Sequence, residues 1–300
     1  MTAALIGIDW GTSSRRAYLL GAGGTILARR EAAQGILAIA DGAFADALAA
    51  VTAGWPHGLP ILLSGMIGSR QGWIEAPYVA TPAGLAELAA KLTAVNTGGA
   101  AVVAIIPGLR TEDAHGRPDV LRGEETQVMG ALAVLGRGDG LFLLPGTHSK
   151  WLRVADGRIQ SFATYMTGEV FAALRNHTIL GRLMTAEAGN EAGFRAGVVA
   201  SGDAPGAGDL LHMLFTVRTL GLFDKVPADA LADYLSGLLI GAEIRAASGA
   251  GAEQVTLIGA ADLCARYRRA GEILGLSFIE APGDSAALGA TAIARAAGMI

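Results

Sequence analysis

Cysteine is almost missing from this chain: Cys264 stands alone among 300 residues. One thiol cannot close an internal disulfide, which suits a reducing compartment and predicts a cytoplasmic protein. There is no run of Lys or Arg, and the formal net charge is −4. A basic nucleic-acid groove is therefore excluded, and any anionic ligand must be met locally by a few cations and backbone N–H groups. No uninterrupted apolar stretch reaches the ~18 residues of a membrane span, so no membrane partner is expected. The opening MTAALIGIDWG has no basic stretch before an apolar core and does not read as a signal peptide. No low-complexity linker interrupts the chain.

What is present is apolar and small. Hydrophobic residues make up 52% and charged residues 17%, with much of the excess in Ala and Gly, so close packing of helices on helices and sheets is expected. The length favours two domains, and a core of that size needs no disulfide or metal. The expected division is 1–135 and 136–300, with a hinge at Gly136–Gly140 and an exposed loop at Ala200–Gly208. Leu5–Asp9, Arg16–Leu20 and Ile26–Arg29 are short apolar runs separated by Gly turns, the pattern of an antiparallel meander. A similar strand, turn, strand, turn, strand order recurs over residues 141–162. Strands at Ile61–Ser64, Val102–Ile106, Val255–Ile258 and Leu276–Ile279 alternate with helical patterns such as Leu85–Leu92, Glu124–Leu135 and Ala228–Ala247. Such alternation predicts an α/β class.

Three segments could carry chemistry. Asp9-Trp10-Gly11-Thr12-Ser13-Ser14 places an acid at a strand end before a Gly turn rich in hydroxyls. Gly11, Thr12, Ser13 and Ser14 could wrap phosphate oxygens, and Asp9 could hold Mg²⁺ through water. An ordinary hairpin is the bland reading. Gly146-Thr147-His148-Ser149 repeats the arrangement after a second strand; Lys150 is expected to point away and Trp151 to be core. His148 is the best-placed histidine, with a simple backbone contact as its alternative. Val255-Thr256-Leu257-Ile258-Gly259-Ala260 joins strand to helix through small residues, where the flat ring of a nucleoside could approach Gly259 and Ala260, or where packing is merely tight.

Two hydroxyl-rich hairpins followed by a strand–Gly–helix, in that order and spacing, resemble the phosphate-one, phosphate-two and adenosine segments of the actin/Hsp70/hexokinase superfamily. Longer blocks narrow the likeness. Leu63-Ser64-Gly65-Met66-Ile67-Gly68-Ser69-Arg70-Gln71-Gly72-Trp73, Pro107-Gly108-Leu109-Arg110-Thr111, Asp119-Val120-Leu121-Arg122-Gly123-Glu124-Glu125-Thr126-Gln127, Gly146-Thr147-His148-Ser149-Lys150-Trp151 and Met166-Thr167-Gly168-Glu169-Val170-Phe171 resemble signatures of the 2-dehydro-3-deoxygalactonokinase family. The resemblance implies two actin-like ATPase (ribonuclease H-like) domains with a nucleotide cleft between them. It also implies ATP and Mg²⁺ as cofactors, and transfer of the γ-phosphoryl group to the terminal 6-hydroxyl of 2-dehydro-3-deoxy-galactonate.

Such a substrate carries a carboxylate beside a ketone, and a carboxylate calls for a guanidinium fork. Arg70, Arg110 and Arg122 are the candidates, with Ser64, Met66 and Trp73 beside them; Trp73 could equally be core. A sugar hydroxyl also needs a base. The related FGGY sugar kinases carry a Gly-Asp before the second phosphate hairpin. Here Gly123 is followed by Glu124 and Glu125, so one of these is the expected base, Glu124 before Glu125, and Asp9 behind both. Capping of the helix N-terminus is the competing role. A kinase of another sugar, or a non-catalytic ATP-binding relative, is the rival reading. The composition is compatible with a homodimer and does not specify one.

Overall fold

In the computed structural model, residues 2–136, 138–185, 189–203, 207–248 and 254–300 are described. They form two units. The first comprises Met1–Asp139, Leu152–Phe162 and Ala281–Ile300, and the second Gly140–Trp151 and Ala163–Glu280. These limits differ from the division expected at 135/136 in three respects: residues 136–139, Leu152–Phe162 of the second hairpin and the C-terminal segment from Ala281 group with the first unit.

The first unit opens on the expected meander, β1 (Ala3–Trp10), β2 (Arg15–Gly21) and β3 (Ile26–Ala32). Helix α1 (Phe44–Thr52) and strand β4 (Ile61–Ser64) follow. Next come β5 (Tyr78–Ala80), α2 (Leu85–Ala89), β6 (Thr93–Val95) and β7 (Val103–Ile105). The main sheet is six-stranded, in the order β3-β2-β1-β4-β7-β6. Strands β1, β4 and β7 run parallel, with Asp9 level with Ser64. Their carboxyl ends therefore emerge together, which is where open α/β sheets place ligands.

Strands β8 (Gly108–Glu112) and β9 (Pro118–Leu121) join β5 in a separate three-stranded sheet. It was not foreseen, because strands this short carry no clear two-residue alternation. Helix α3 (Glu124–Leu135) matches its expected span.

The second large sheet opens on β10 (Gly140–Leu144), β11 (Ser149–Ala155) and β12 (Arg158–Tyr165). Helices α4 (Thr167–His177), α5 (Glu191–Ala200), α6 (Ala207–Leu222) and α7 (Leu231–Ser248) follow. Then come β13 (Val255–Leu257), α8 (Ala261–Leu274) and β14 (Phe278–Glu280). The five-stranded order is β12-β11-β10-β13-β14. Here too β10, β13 and β14 are parallel. The expected loop at Ala200–Gly208 is mostly helical where it is described, with Ala200 ending α5, a helical turn at Ser201–Asp203 and α6 starting at Ala207; residues 204–206 lie outside the described residues, as does Arg137 of the expected hinge.

The last helix, α9 (Ser285–Ala296), packs on α3 in the first unit. The contact is backbone to backbone: a Cβ on Gly289 would fall 1.8 Å from the Thr126 carbonyl oxygen, and one on Gly130 1.9 Å from that of Ser285. This crossing fixes the first turn of α3, which carries the two glutamates. Among the described residues no helix is long and apolar enough to cross a membrane.

Candidate active site

In the first unit, one point gathers several expected residues. Asp9, next to last in β1, has its side chain 12% exposed, and its Oδ2 is 3.0 Å from Arg16 Nη2. Burial raises its pKa from the ordinary range, and the Arg16 charge opposes that. Gly65, just after β4, has φ +88, and a Cβ there would lie 3.3 Å from Asp9 Oδ1 and 2.8 Å from the Trp10 carbonyl oxygen. Gly123, at φ +107, would carry its own Cβ to 3.1 Å from Gly65 Cα. Two glycines in conformations costly for other residues thus bring the Asp9 strand end and the α3 N-terminus together.

Both glutamates turn back over that N-terminus. Glu124 Oε2 accepts from the Arg122 N–H at 2.9 Å, and Glu125 Oε2 from the Gly123 N–H at 2.6 Å. Glu125 also accepts from Thr126 Oγ1 at 2.9 Å and is fully buried, whereas Glu124 is half-buried. Each thus satisfies a backbone N–H at the entry to the helix, and both place negative charge in its first turn.

Burial first, and the neighbouring Glu124 second, push Glu125 up to about 7. The neutral form is favoured in the fold. Stability tied to it is therefore full in acid and lost as the pH rises through about 7. Glu125→Gln imitates the neutral form. Melting temperatures measured from about pH 5 to pH 8 should show the variant gaining on the native chain as the pH rises. Parallel curves would show that Glu125 does not titrate in this window.

The turn between β1 and β2 is exposed at Thr12, Ser13 and Ser14. It is closed by Gly11 N–H to the Ser14 carbonyl at 2.9 Å, and Gly11 and Thr12 carbonyls accept from Ile36 and Leu37. Its three hydroxyls meet no partner among the described residues.

Of the three arginines, two face water. Arg70 is 87% exposed beside Glu75 at 3.6 Å, and Arg110 is exposed on β8. Arg122 is 8% exposed. Its Nη2 donates to the Ala76 carbonyl at 2.8 Å, and its guanidinium lies 4.4 Å from the centre of the Tyr78 ring. Tyr78, which the sequence did not single out, rests in turn on Gly108. Arg122 Nε and Nη1 and the nearby Ser69 Oγ are buried with no hydrogen-bond partner among the described residues. Ser64 is buried and donates to the Ile8 carbonyl at 3.4 Å. Trp73 stacks on Phe44 at 6.2 Å, and both Trp73 and Met66 pack on the apolar cluster of the unit. Ser64 is thus held against β1, and Met66 and Trp73 against the apolar cluster, the last two only partly buried.

In the second unit, Gly146, Thr147 and His148 form the turn between β10 and β11, with Thr147 and His148 exposed. His148 Nε2 lies 2.5 Å from Glu169 Oε2, so its partner is a carboxylate and not the backbone. The Glu169 N–H donates to the Thr147 carbonyl at 3.0 Å, which seats the start of α4 on the turn. Ser149 does not share that exposure. It is the first residue of β11, 0% exposed, with Oγ 2.9 Å from Tyr267 Oη. Strand alternation turns it inward, away from a phosphate. Lys150 Nζ donates to Thr164 at 2.7 Å.

Gly259 and Ala260 are exposed at the end of β13, with a Gly259 Cβ position 3.5 Å from Pro145 Cδ. The strand–Gly–helix and the second turn are therefore neighbours. Beside them lies a cavity of about 240 Å³ lined by Gly146, Thr167, Gly168, Phe171, Leu239, Leu263 and Tyr267 among others. Its walls are mainly apolar with a few polar groups, the make-up of a small-molecule site. The aromatic and aliphatic wall comes from α4, α7 and α8, which no local motif connects.

Comparison with known proteins agrees with this chemistry. The profile of the family described as 2-keto-3-deoxy-galactonokinase matches residues 9–293. A Rhizobium meliloti (strain 1021) protein described as "Probable 2-dehydro-3-deoxygalactonokinase DgoK1" is 42% identical over 299 residues, 96% of each chain. The Escherichia coli (strain K12) 2-dehydro-3-deoxygalactonokinase is 35% identical over 291 residues, 95% of each chain. A crystal structure of a protein of the same designation from Sinorhizobium meliloti superposes with a TM-score of 0.87 at 40% identity, covering 97% of this chain and 98% of that one. A more distant likeness shows the fold alone: the Clostridium difficile activator of 2-hydroxyisocaproyl-CoA dehydratase, with bound ADPNP, has a TM-score of 0.52 at 13% identity, covering 98% of this chain and 96% of that one. The expected two-domain α/β ATPase fold and the resemblance read from the motifs are both borne out.

Proposed function

The chain belongs to the 2-keto-3-deoxy-galactonokinase family, and from that premise we infer that it phosphorylates 2-dehydro-3-deoxy-D-galactonate with ATP, giving the 6-phosphate and ADP in galactonate catabolism. The observation that carries the reading within the structure is Arg122. A buried guanidinium with two unpartnered donors lacks the anion that would compensate it, and an isolated buried charge is costly. A sugar-acid carboxylate supplies that anion, whereas a neutral sugar does not. Arg122, with the Ser69 hydroxyl, takes the carboxylate in this reading. Arg70 and Arg110, already solvated, gain less from it.

Glu124 takes the proton of the attacking hydroxyl. It is the glutamate with access, and it sits beside the Asp9 strand end through the Gly65–Gly123 contact. Glu125 stays as the buried cap that holds the turn. The exposed hydroxyls of Thr12, Ser13 and Ser14 and the turn Gly146–His148 are the groups proposed to take phosphate oxygens, and the cavity beside Gly259 is proposed to hold the nucleoside. Asp9 would hold Mg²⁺. The fit is that of an ion which keeps its waters: among the described residues there is no cluster of three His, Cys, Asp or Glu, and the bare Gly65 leaves room at Oδ1. When bound, Mg²⁺ neutralises charge on phosphate oxygens.

The reading is tested by ADP release in a coupled assay with ATP and 2-dehydro-3-deoxy-D-galactonate, neutral sugars serving as controls. Turnover should depend on the sugar acid. ATP turnover indifferent to every sugar acid would favour a non-catalytic relative, and turnover with neutral sugars would remove Arg122 from its role.

A further inference from the structure

Beneath the turn Gly146–His148 lies a buried carboxylate with no part in the chemistry above. Glu243, on α7, is 3% exposed. Its Oε1 accepts from Trp151 Nε1 at 2.8 Å and its Oε2 from Tyr267 Oη at 2.6 Å. The Ser149 hydroxyl joins the network through Tyr267 at 2.9 Å. Ser149 and Thr167 also lie beside Glu243, and Thr167 beside Tyr267.

One carboxylate thus ties β11, the first residue of α4, α7 and α8. Two of these elements bracket the turn. β11 is its exit strand, starting at Ser149, and α4 is bonded to its apex through the Glu169 N–H and the Thr147 carbonyl. Thr167 and Tyr267 also line the cavity of about 240 Å³ beside the turn. An apolar core would hold these elements without the desolvation cost of a buried acid. What the network adds is direction, because each hydrogen bond fixes an angle as well as a distance.

We propose that Glu243 is a positioning residue for the nucleotide: through Trp151, Ser149, Thr167 and Tyr267 it holds the Gly146–His148 turn in the shape that receives phosphate. The proposal rests on the reading of that turn as a phosphate site. Glu243 touches no substrate, and its effect is confined to the nucleotide.

The test uses the full chain with Glu243→Gln, Tyr267→Phe and Ser149→Ala. Ser149 is fully buried and stands apart from the cavity wall, so its variant acts through the network alone. Calorimetry with ADP and steady-state kinetics should show the ADP Kd and the KM for ATP rising roughly 10- to 100-fold. The KM for the sugar acid should stay within about 2-fold, a split that general loosening of the fold would not produce. If Glu243→Gln does not fold, Ser149→Ala and Tyr267→Phe decide. Folded variants that bind ADP as tightly as the native chain overturn the proposal. Thr147→Asp separates the two levels. If it abolishes ADP binding while the network variants bind normally, the turn is a phosphate site and only the brace is wrong. If ADP binding ignores Thr147→Asp as well, the reading of the turn falls too.

Discussion

Glu124→Gln should lower kcat by ~10²–10⁴-fold and leave both KM values nearly unchanged. The substitution keeps the volume and an acceptor oxygen for the Arg122 N–H, now bonded at 2.9 Å. The cap therefore survives, and what is lost is the capacity to take a proton. A hydroxyl is a poor nucleophile until that proton leaves, so the loss appears in the chemical step. Glu125→Gln serves as the comparison. Glu125 is fully enclosed, with both oxygens committed to Gly123 and Thr126. Its replacement should act chiefly on stability and its pH dependence. If Glu124→Gln turns over within about 3-fold of the native enzyme while Glu125→Gln falls by ~10²-fold or more, the roles are exchanged. If neither falls, the base lies elsewhere, with Asp9 the next residue to examine.

Arg122→Met should lower kcat/KM for the sugar acid by ~10²–10³-fold, mostly through KM, with the KM for ATP unmoved. Arg122→Lys should not restore it, because a point charge on a flexible stem cannot reproduce two directed donors. The companion result is in stability. Most substitutions of a buried, hydrogen-bonded residue are destabilising. Here Nε and Nη1 have no partner among the described residues, so removing the cation also removes an uncompensated burial cost. The lost contacts are the bond to the Ala76 carbonyl and the stacking on Tyr78. These opposing terms should leave the melting temperature of the ligand-free Met variant within a few degrees of the native one. A large stability loss with an unchanged KM would make Arg122 a structural residue and return Arg70 or Arg110 to consideration. Deep loss of activity at unchanged stability is the signature of a side chain kept for its ligand.

Much of the architecture could be read from local order. The meander at the start, helix Glu124–Leu135 and the strands that end at Trp10, Leu144 and Leu257 all follow from apolar runs stopped by Gly or Pro. The short strands Tyr78–Ala80, Gly108–Glu112 and Pro118–Leu121 escaped that reading. Each is too brief to show a period, and the first pairs with the second far along the chain, Tyr78 with Gly108. Arg110 accordingly lies on the central strand of that small sheet, level with Ala80 on one side and Val120 on the other. Helix Glu191–Ala200 escaped as well, its Gly193 and Gly197 blurring the apolar stripe while serving its contact with α7.

The amino-acid sequence by itself determined the kind of chemistry: hydroxyl-rich turns for phosphate, a Gly–Glu–Glu at a helix start for proton transfer, arginines for a carboxylate, and the family in which these occur together. Those are properties of residue types and short spacings, and they survive without coordinates. The tertiary structure alone decided which members of each set are buried and which stay exposed. Strand alternation turned Ser149 inward while Thr147 stayed out. Packing buried Glu125 and left Glu124 within reach. The fold buried Arg122 with its Nε and Nη1 unpartnered among the described residues while Arg70 remained in water, and it set Glu243 under a turn nearly a hundred residues away in the chain. Burial and hydrogen-bond partnership arise when distant segments meet, so no reading of neighbours along the chain contains them.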